Sequence, residues 1–296
     1  MPSMILISRK ETETPRSPVR LHPGVILRQN RRVRAALWLM MVSVVIGCAQ
    51  GEAPRPDAAA QAERPVAVMI HGAGGGGWEW KFWQEEFERA GWQVVAPDLM
   101  PAERGIAATT VEDYIEQVVQ AASAAGERLV LIGASMGGIL ALKAAERMEA
   151  RAVVLVNSVP PAGVEWSRGQ QEEVPDVVEW SNSPLQETED ALWDSSQEVI
   201  EWAHERWRDE SGAVLRALRD GVPAEKPSCP VLVIASDKDT DIPPEVSRRL
   251  AEMLSGDFVL YREMSHVGPL LGTRAHSVAR HTLGWLGGLQ VDGPQR

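Results

Sequence analysis

The sequence predicts an α/β protein with a mostly parallel sheet of about six strands flanked by helices. Two observations lead to this fold class: short runs of wholly apolar residues recur along the chain, and amphipathic stretches separate them. Strands that are apolar at every position are typical of a parallel sheet covered on both faces. The runs lie at residues 66–70, 93–96, 129–132, 152–156, 231–235 and 258–261; Gln93 is the one polar residue among them.

The stretches between these runs have helical character. Residues 110–125 show it most clearly, because their apolar residues recur at spacings of three and four and so line one helix face. Those residues are Val111, Tyr114, Ile115, Val118 and Val119. We predict further helices at residues 80–90, 137–148, 244–254 and 275–289.

Residues 163–227 interrupt the alternation. This stretch has sixteen acidic residues against six Lys or Arg, and it holds five of the eleven tryptophans. Because so many tryptophans imply burial, we predict a helical cap inserted in a domain that spans residues 65–289, with residues 290–296 as a tail. Ile200, Ala203 and Trp207 share a face at helical spacing, so we expect at least one helix there. The five tryptophans are Trp166, Trp180, Trp193, Trp202 and Trp207.

Charge divides the chain into two parts. Residues 1–47 hold eight Lys or Arg and two acidic residues, which leaves 22 basic and 39 acidic residues, a net charge of −17, on the rest. A body that acidic repels phosphate backbones, so we expect no nucleic-acid partner.

Residues 1–47 also have the pattern of an N-terminal extension followed by a signal peptide. A basic segment precedes an apolar run at residues 35–47, and Cys48 follows directly. The run is shorter than the roughly 20 apolar residues that a membrane-spanning helix needs. Residues 45–48, Val-Ile-Gly-Cys, resemble the bacterial lipobox, which implies cleavage before Cys48 and lipidation of that cysteine. We therefore expect an exported lipoprotein anchored to a membrane; an ordinary signal with an incidental cysteine is the alternative.

Residues 48–64, rich in alanine, proline and charge, are predicted to be a flexible tether. After Cys48 the chain has one further cysteine, Cys229, which we expect to be structural. A lone thiol forms no intramolecular disulfide, so the core must stabilise the domain by itself.

A candidate nucleophile lies in residues 133–138, Gly-Ala-Ser-Met-Gly-Gly, between a predicted strand and a predicted helix. A Gly-x-Ser-x-Gly segment in this context places Ser135 on a sharp turn that requires glycine neighbours. The turn sets the hydroxyl at a helix N-terminus, where the N–H of Met136 can face a developing oxyanion. The alternative is a glycine-rich turn in which the serine only caps the helix.

A serine hydroxyl is a poor nucleophile unless a base removes its proton. After such a turn the partners follow in the order serine, acid, histidine, which leaves His266, His276 and His281. His276 and His281 fall within the last predicted helix. His266 lies in a loop directly after a predicted strand, where parallel sheets place their active sites, and we expect it to be the base.

The acid is expected in the loop that follows residues 231–235. Asp237, Asp239 and Asp241 compete there to accept the histidine N–H and to stabilise the imidazolium.

Residues 71–77, His-Gly-Ala-Gly-Gly-Gly-Gly, follow the first predicted strand. Glycines let backbone amides approach a ligand closely, so we expect a second oxyanion donor in this loop, the N–H of Ala73. A phosphate-binding loop is the rival interpretation, but neither Gly-x-Gly-x-x-Gly nor Gly-Lys-Ser opens the next helix. His71 is expected to hold the loop rather than to catalyse.

Together these segments resemble the α/β-hydrolase superfamily, in particular its compact esterase-type members with a cap, over about residues 65–289. The resemblance implies the α/β-hydrolase fold and a triad of Ser135, Asp239 and His266. Asp239 is preferred because residues 239–243 match the family pattern of aspartate, two residues, an aliphatic residue and proline; Asp241 and Asp237 remain alternatives.

The predicted function is hydrolysis of carboxylic esters through an acyl-enzyme at Ser135, with no metal or organic cofactor. An acyltransferase or thioesterase with the same triad is one alternative, and a non-catalytic binding protein on the same fold is another. The acidic, Trp-rich cap favours a neutral or cationic small-molecule ester with apolar bulk. The sequence does not indicate an oligomeric state.

Overall fold

The computed structural model describes residues 64–126, 129–166 and 173–291. The predicted extension and signal peptide, Cys48, the tether up to residue 63 and residues 292–296 of the predicted tail lie outside the described residues. Among the residues that are described, no helix is both long and apolar enough to cross a membrane.

Six parallel strands form the central sheet, as the apolar runs predict. The strands are β1 (Val66–Ile70), β2 (Gln93–Val95), β3 (Leu129–Ala134), β4 (Ala152–Val156), β7 (Val231–Ser236) and β8 (Asp257–Tyr261); β5 and β6 belong to the cap region. Their order in space is β2-β1-β3-β4-β7-β8, with every neighbouring pair parallel. The four inner strands are buried at every residue, because helices cover both faces.

Helices pack two apolar cores against this sheet. The helices outside the cap region are α1 (Lys81–Arg89), α2 (Val111–Ala125), α3 (Met136–Ala145), α7 (Pro244–Leu254), the short α8 (Gly268–Leu271) and α9 (Ala275–Val291). One core lies under α2, α3 and α7, and the other under α1 and α9. All five predicted helices are present; the one expected at residues 80–90 begins with a 3₁₀ turn, Gly77–Trp80.

The described part of the stretch predicted to be a cap contains three α-helices, α4 (Leu185–Ala191), α5 (Gln197–His204) and α6 (Gly212–Asp220), and a 3₁₀ turn at Trp180–Asn182. It also contains two short antiparallel strands, β5 (Val177–Val178) and β6 (Glu210–Ser211), which the sequence analysis does not predict. The expectation that Trp207 continues the face of Ile200 and Ala203 is wrong. The N–H of Arg206 turns back to the carbonyl of Ala203 at 2.9 Å, so α5 ends at His204.

Candidate active site

Ser135 lies between the end of β3 and the start of α3, at the carboxyl edge of the sheet. Its backbone has φ 50° and ψ −120°, a conformation that costs a non-glycine residue about 1–3 kcal/mol. The surrounding backbone holds it there: the N–H of Ser135 donates to the carbonyl of Val156 at 3.0 Å, and the carbonyl of Ser135 accepts from Gly138 and Val159. Ser135 itself is half-buried.

The glycines on either side of Ser135 are required by packing. A Cβ at Gly133 would collide with the carbonyl oxygen of Gly137, and a Cβ at Gly137 would collide with that of Ile70. The Gly-x-Ser-x-Gly motif therefore has the physical basis that the sequence predicts. At both glycines the turn passes too close to neighbouring backbone atoms to leave room for a side chain.

His266 and Asp239 are in contact. His266 follows β8 and Asp239 follows β7, and Nδ1 of the imidazole lies 2.7 Å from Oδ2 of the carboxylate. The other oxygen, Oδ1, accepts the backbone N–H groups of Asp241 and Ile242, both at 2.9 Å. A carboxylate fixed in this way orients the imidazole so that Nε2 can act as a base.

Asp239 differs from the two other aspartates of its loop. Its side chain is fully buried, and burial raises the pKa of the carboxyl while His266 opposes the shift. Asp241 is 60% exposed at its side chain and lies 4.0 Å from Nε2 of His266. Asp237 accepts the N–H of Glu263 at 2.7 Å. Of the three aspartates, Asp239 is the one that pairs with Nδ1.

Asn157 joins the loops that carry these side chains, and the sequence analysis misses it. Its Nδ2 donates to the carbonyl of His266 at 2.7 Å and to Oγ of Ser236 at 2.9 Å. Asn157 has φ 44°, in the left-handed region that asparagine tolerates better than most residues. It directly follows Val156, whose carbonyl holds the N–H of Ser135, so it ties the His266 loop to the strand beside the nucleophile.

The glycine-rich loop after β1 has most of its amides already engaged. The N–H groups of Gly72 and Gly74 donate to buried carboxylates at 3.1 and 3.0 Å, and that of Gly75 donates to the carbonyl of Gly72 at 3.3 Å. Within the described part of the chain, the N–H groups of Ala73 and Met136 have no hydrogen-bond acceptor. These two amides are the ones that we expect to face an oxyanion.

This loop lies directly beside the nucleophile, and His71 anchors it. A Cβ at Gly72 would lie 3.3 Å from Cβ of Ser135. His71 is buried; its Nδ1 donates to the carbonyl of Gly72 at 2.7 Å, and its Nε2 accepts the N–H of Leu99 at 2.9 Å. Burial lowers the pKa of His71 to about 4, so the ring stays neutral and structural, as predicted.

Two charged residues around β6 hold the other side of the loop. The backbone N–H of Arg208 donates to the carbonyl of Gly74 at 2.7 Å, and its Nε donates to that of Gly75 at 2.6 Å. Glu210 accepts the N–H of Gly74 and the hydroxyl of Tyr114, at 3.0 and 2.8 Å. In the sequence both residues belong only to an acidic, Trp-rich stretch, because no spacing pairs them with a loop some 135 residues earlier.

Tryptophans of the cap region pack near the same loop. The ring of Trp78 meets Trp202 and Trp207 edge-on, with centroids 5.5 and 5.0 Å apart. Trp180 lies so close to Gly74 that a Cβ there would collide with its ring. Apolar aromatic surface therefore surrounds the glycine-rich loop.

The other two candidate histidines, His276 and His281, lie outside this cluster, on α9, as expected. Nδ1 of His276 lies 3.0 Å from Oε1 of Glu86, and Nδ1 of His281 lies 2.7 Å from the hydroxyl of Tyr261. Cys229 is partly buried, and burial raises the pKa of its thiol, which disfavours the reactive thiolate.

A parallel sheet with a strained serine between strand and helix, and with an aspartate and a histidine after later strands, is the arrangement of the α/β-hydrolase fold. Residues 67–281 match the model of the Alpha/beta hydrolase family. The chain belongs to that family.

Curated relatives match part of the chain. Over 105 residues it is 36% identical to the probable esterase PIR7A of Oryza sativa subsp. indica, and equally to that of subsp. japonica. The alignment covers 32% of this chain, and the chain spans about 40% of the length of the rice proteins.

Solved structures share the fold over a longer stretch. An esterase from Thermogutta terrifontis has a TM-score of 0.60 and 20% identity, over 76% of this chain and 90% of that one. A pyrethroid hydrolase from Sphingobium faniae has a TM-score of 0.62 and 20% identity, over 75% of this chain and 97% of that one. At these identities the likeness concerns the fold.

Proposed function

We propose that the protein is a serine hydrolase that cleaves carboxylic esters through an acyl-enzyme at Ser135. The observation that carries the proposal is the contact of 2.7 Å between Nδ1 of His266 and buried Asp239, at the sheet edge where Ser135 is held at φ 50°. The partial match to a probable esterase and the shared fold with esterases support the choice of an ester as substrate.

In the first half of the proposed reaction, Oγ of Ser135 attacks the ester carbonyl while Nε2 of His266 takes the hydroxyl proton. The carbonyl oxygen becomes an oxyanion and receives the N–H groups of Ala73 and Met136. Asp239 stabilises the imidazolium that forms. The tetrahedral intermediate then expels the alcohol, to which His266 gives the proton, and the acyl group remains on Ser135.

In the second half, His266 removes a proton from a water molecule, which attacks the acyl carbonyl. The same two amides receive the second oxyanion. Its collapse breaks the bond to Oγ of Ser135, to which His266 returns the proton, and releases the carboxylic acid. Every proton is carried by His266, and no other group of the chain has to change its charge.

We further propose that the ester is neutral or cationic and has apolar bulk. The support is the excess of acidic residues in the cap region, together with the aromatic rings of Trp180 and Trp78 near the glycine-rich loop. An anionic ester would approach this surface against electrostatic repulsion.

The mature chain is expected to hydrolyse p-nitrophenyl esters and to be labelled on Ser135 by a fluorophosphonate, because both reactions need the activated hydroxyl. The ester panel varies acyl chain length and pairs neutral, cationic and anionic acyl groups of equal size. Release of p-nitrophenol measures turnover, and mass spectrometry of tryptic peptides locates the label. The neutral and cationic esters should be cleaved faster than the anionic one.

Ser158→Ala is the matched control for this experiment. Ser158 is a buried serine near the same sheet edge, and its Oγ donates to the carbonyl of Val159 at 2.9 Å. This variant should keep both labelling and turnover. A label on another residue, or a folded chain that neither labels nor turns over any ester, would contradict the proposed function; transfer of the acyl group to added alcohols in preference to water would identify an acyltransferase.

We also propose that the protein is exported and anchored to a membrane through a lipidated Cys48, on the sequence pattern of residues 28–48. After expression of the full chain in a bacterium with lipoprotein processing, the N-terminal peptide is expected to begin at Cys48 and to carry acyl groups. Mass spectrometry of that peptide is the measurement, and Cys48→Ser, which has no thiol to acylate, is the control. Cleavage at another position, or an unmodified Cys48, would overturn this proposal.

A further inference from the structure

Glu79 is a buried carboxyl that the mechanism above does not use and that the sequence analysis does not predict. It lies in the 3₁₀ turn Gly77–Trp80 and is 4% exposed. A carboxyl group loses much hydration when it is buried, so its contacts must account for its position.

Those contacts place Glu79 at the glycine-rich loop. Its Oε2 accepts the N–H of Gly72 at 3.1 Å, and its Oε1 lies so close to Gly75 that a Cβ there would collide with it. A Cβ at Gly72 would lie 3.3 Å from Cβ of Ser135 and 3.8 Å from Oε2 of Glu79. The carboxyl and the nucleophile therefore both lie beside the position that a Cβ of Gly72 would occupy.

Among the described residues, two charged or titratable groups from neighbouring elements act electrostatically on Glu79. These are His266, from the loop after β8, and Arg208, from the segment before β6. Arg208 is engaged elsewhere, since its Nε donates to the carbonyl of Gly75 and its Nη2 lies 3.2 Å from Nε2 of His71. Burial raises the pKa of Glu79 to about 7, against the opposing effects of the Gly72 N–H, His266 and Arg208.

We propose that Glu79 is a positioning residue whose protonation state controls the reaction at Ser135. As a neutral acid it holds the N–H of Gly72 and so places the adjacent amide of Ala73 for the oxyanion. As a carboxylate it opposes the oxyanion by repulsion. This inference rests on the proposed function.

The direction of the effect follows from where the charges lie. The oxyanion would sit on the N–H of Ala73, one residue from the amide that Glu79 already contacts at 3.1 Å. The Glu79 carboxylate and the oxyanion would therefore be bound by neighbouring amides. Two negative charges this close repel each other far more strongly in a buried site than in water. A Glu79 carboxylate would also attract the imidazolium of His266, but Asp239 already satisfies that charge at 2.7 Å. Repulsion therefore dominates, and the neutral acid is the active form.

The test compares wild type with Glu79→Gln, whose amide oxygen still accepts the N–H of Gly72 but cannot ionise. Both kcat/KM for a p-nitrophenyl ester and the rate of fluorophosphonate labelling are measured against pH. Wild type is expected to lose about tenfold in rate for each pH unit above the pKa of Glu79, whereas Glu79→Gln keeps its rate there.

Glu86→Gln is the control for loss of a buried carboxylate. Glu86 is 6% exposed and pairs with Arg280 and His276 of α9, outside the cluster of residues around Ser135. Its pH profile should match that of wild type.

The outcomes separate the two proposals. If no variant labels on Ser135 at any pH, the proposed function fails and this inference fails with it. If labelling occurs but wild type shows no alkaline fall, or Glu79→Gln shows the same fall, only the role of Glu79 is overturned. If circular dichroism shows that Glu79→Gln does not fold, Glu79→Asp replaces it: its shorter side chain must shift the midpoint of the alkaline fall, and an unchanged midpoint overturns the inference.

Discussion

Replacement of Ser135 by alanine is expected to lower kcat for p-nitrophenyl esters by about 10⁵-fold, with little change in KM. Without Oγ no acyl-enzyme can form, and the chain retains only the amides of Ala73 and Met136 to stabilise an oxyanion made by direct attack of water. Those donors and the aromatic surface near the loop still bind the ester, so substrate affinity should survive. Steady-state kinetics over a range of ester concentrations separates the two parameters.

The fold should tolerate this substitution. The backbone of residue 135 is held at φ 50° by hydrogen bonds of its own N–H and carbonyl, which alanine also makes. Thermal unfolding should therefore occur close to the wild-type temperature, and a large shift would mean that the loss of rate reports unfolding. Ser158→Ala, the neighbouring buried serine, should lose little activity. Turnover of the ester panel at wild-type rate by Ser135→Ala would show that the nucleophile is another residue.

Much of the fold can be predicted from local patterns in the sequence. The four inner strands are almost wholly apolar and are buried on both faces, so the composition of each run reports its environment directly. The two edge strands are less uniform, since β2 begins with Gln93 and β8 with Asp257. The helix Val111–Ala125 can be predicted in the same way. Its apolar positions recur at helical spacing, and a capping box between Thr110 and Asp113 marks its start. Such features depend on residues close together in the chain.

Part of the candidate site is also local. The turn at Ser135 needs glycine at Gly133 and Gly137 because backbone atoms lie against those positions, and that requirement appears as a motif. His266 could be chosen from the topology, since a loop after a parallel strand lies at the carboxyl edge of the sheet. Among Asp237, Asp239 and Asp241, the sequence favours Asp239 only through the family pattern at residues 239–243. All three lie within five residues, and burial together with the contact to Nδ1 distinguishes them.

The residues that support the site could not be predicted from the sequence, because most of their hydrogen-bond partners lie far away along the chain. Asn157 contacts the carbonyl of a residue 109 positions later, and Glu210 contacts a loop 136 positions earlier. Glu79 is near its loop in sequence, but its polar side chain occupies a position that hydrophobic patterning assigns to solvent. These contacts arise only when the parallel strands bring their carboxyl ends together.

Replacement of Asp239 by asparagine is expected to lower kcat by about 10⁴-fold at neutral pH. The contact at 2.7 Å requires Nδ1 of His266 to donate to Asp239, which leaves Nε2 unprotonated and able to take the serine proton. An asparagine amide can donate to Nδ1 instead, which favours the tautomer with its proton on Nε2. That tautomer cannot act as the base.

Asparagine is the informative substitution because it separates this chemistry from the folding of the loop. Oδ1 of Asp239 accepts two backbone N–H groups, at Asp241 and Ile242, and an asparagine oxygen can still accept both. Asp241→Asn and Asp237→Asn are the matched controls, and each should lose less than about tenfold, because exposed or peripheral carboxylates contribute weakly. If Asp241→Asn loses more activity than Asp239→Asn while both remain folded, then the acid of the triad is Asp241, and the buried contact of Asp239 holds the loop alone.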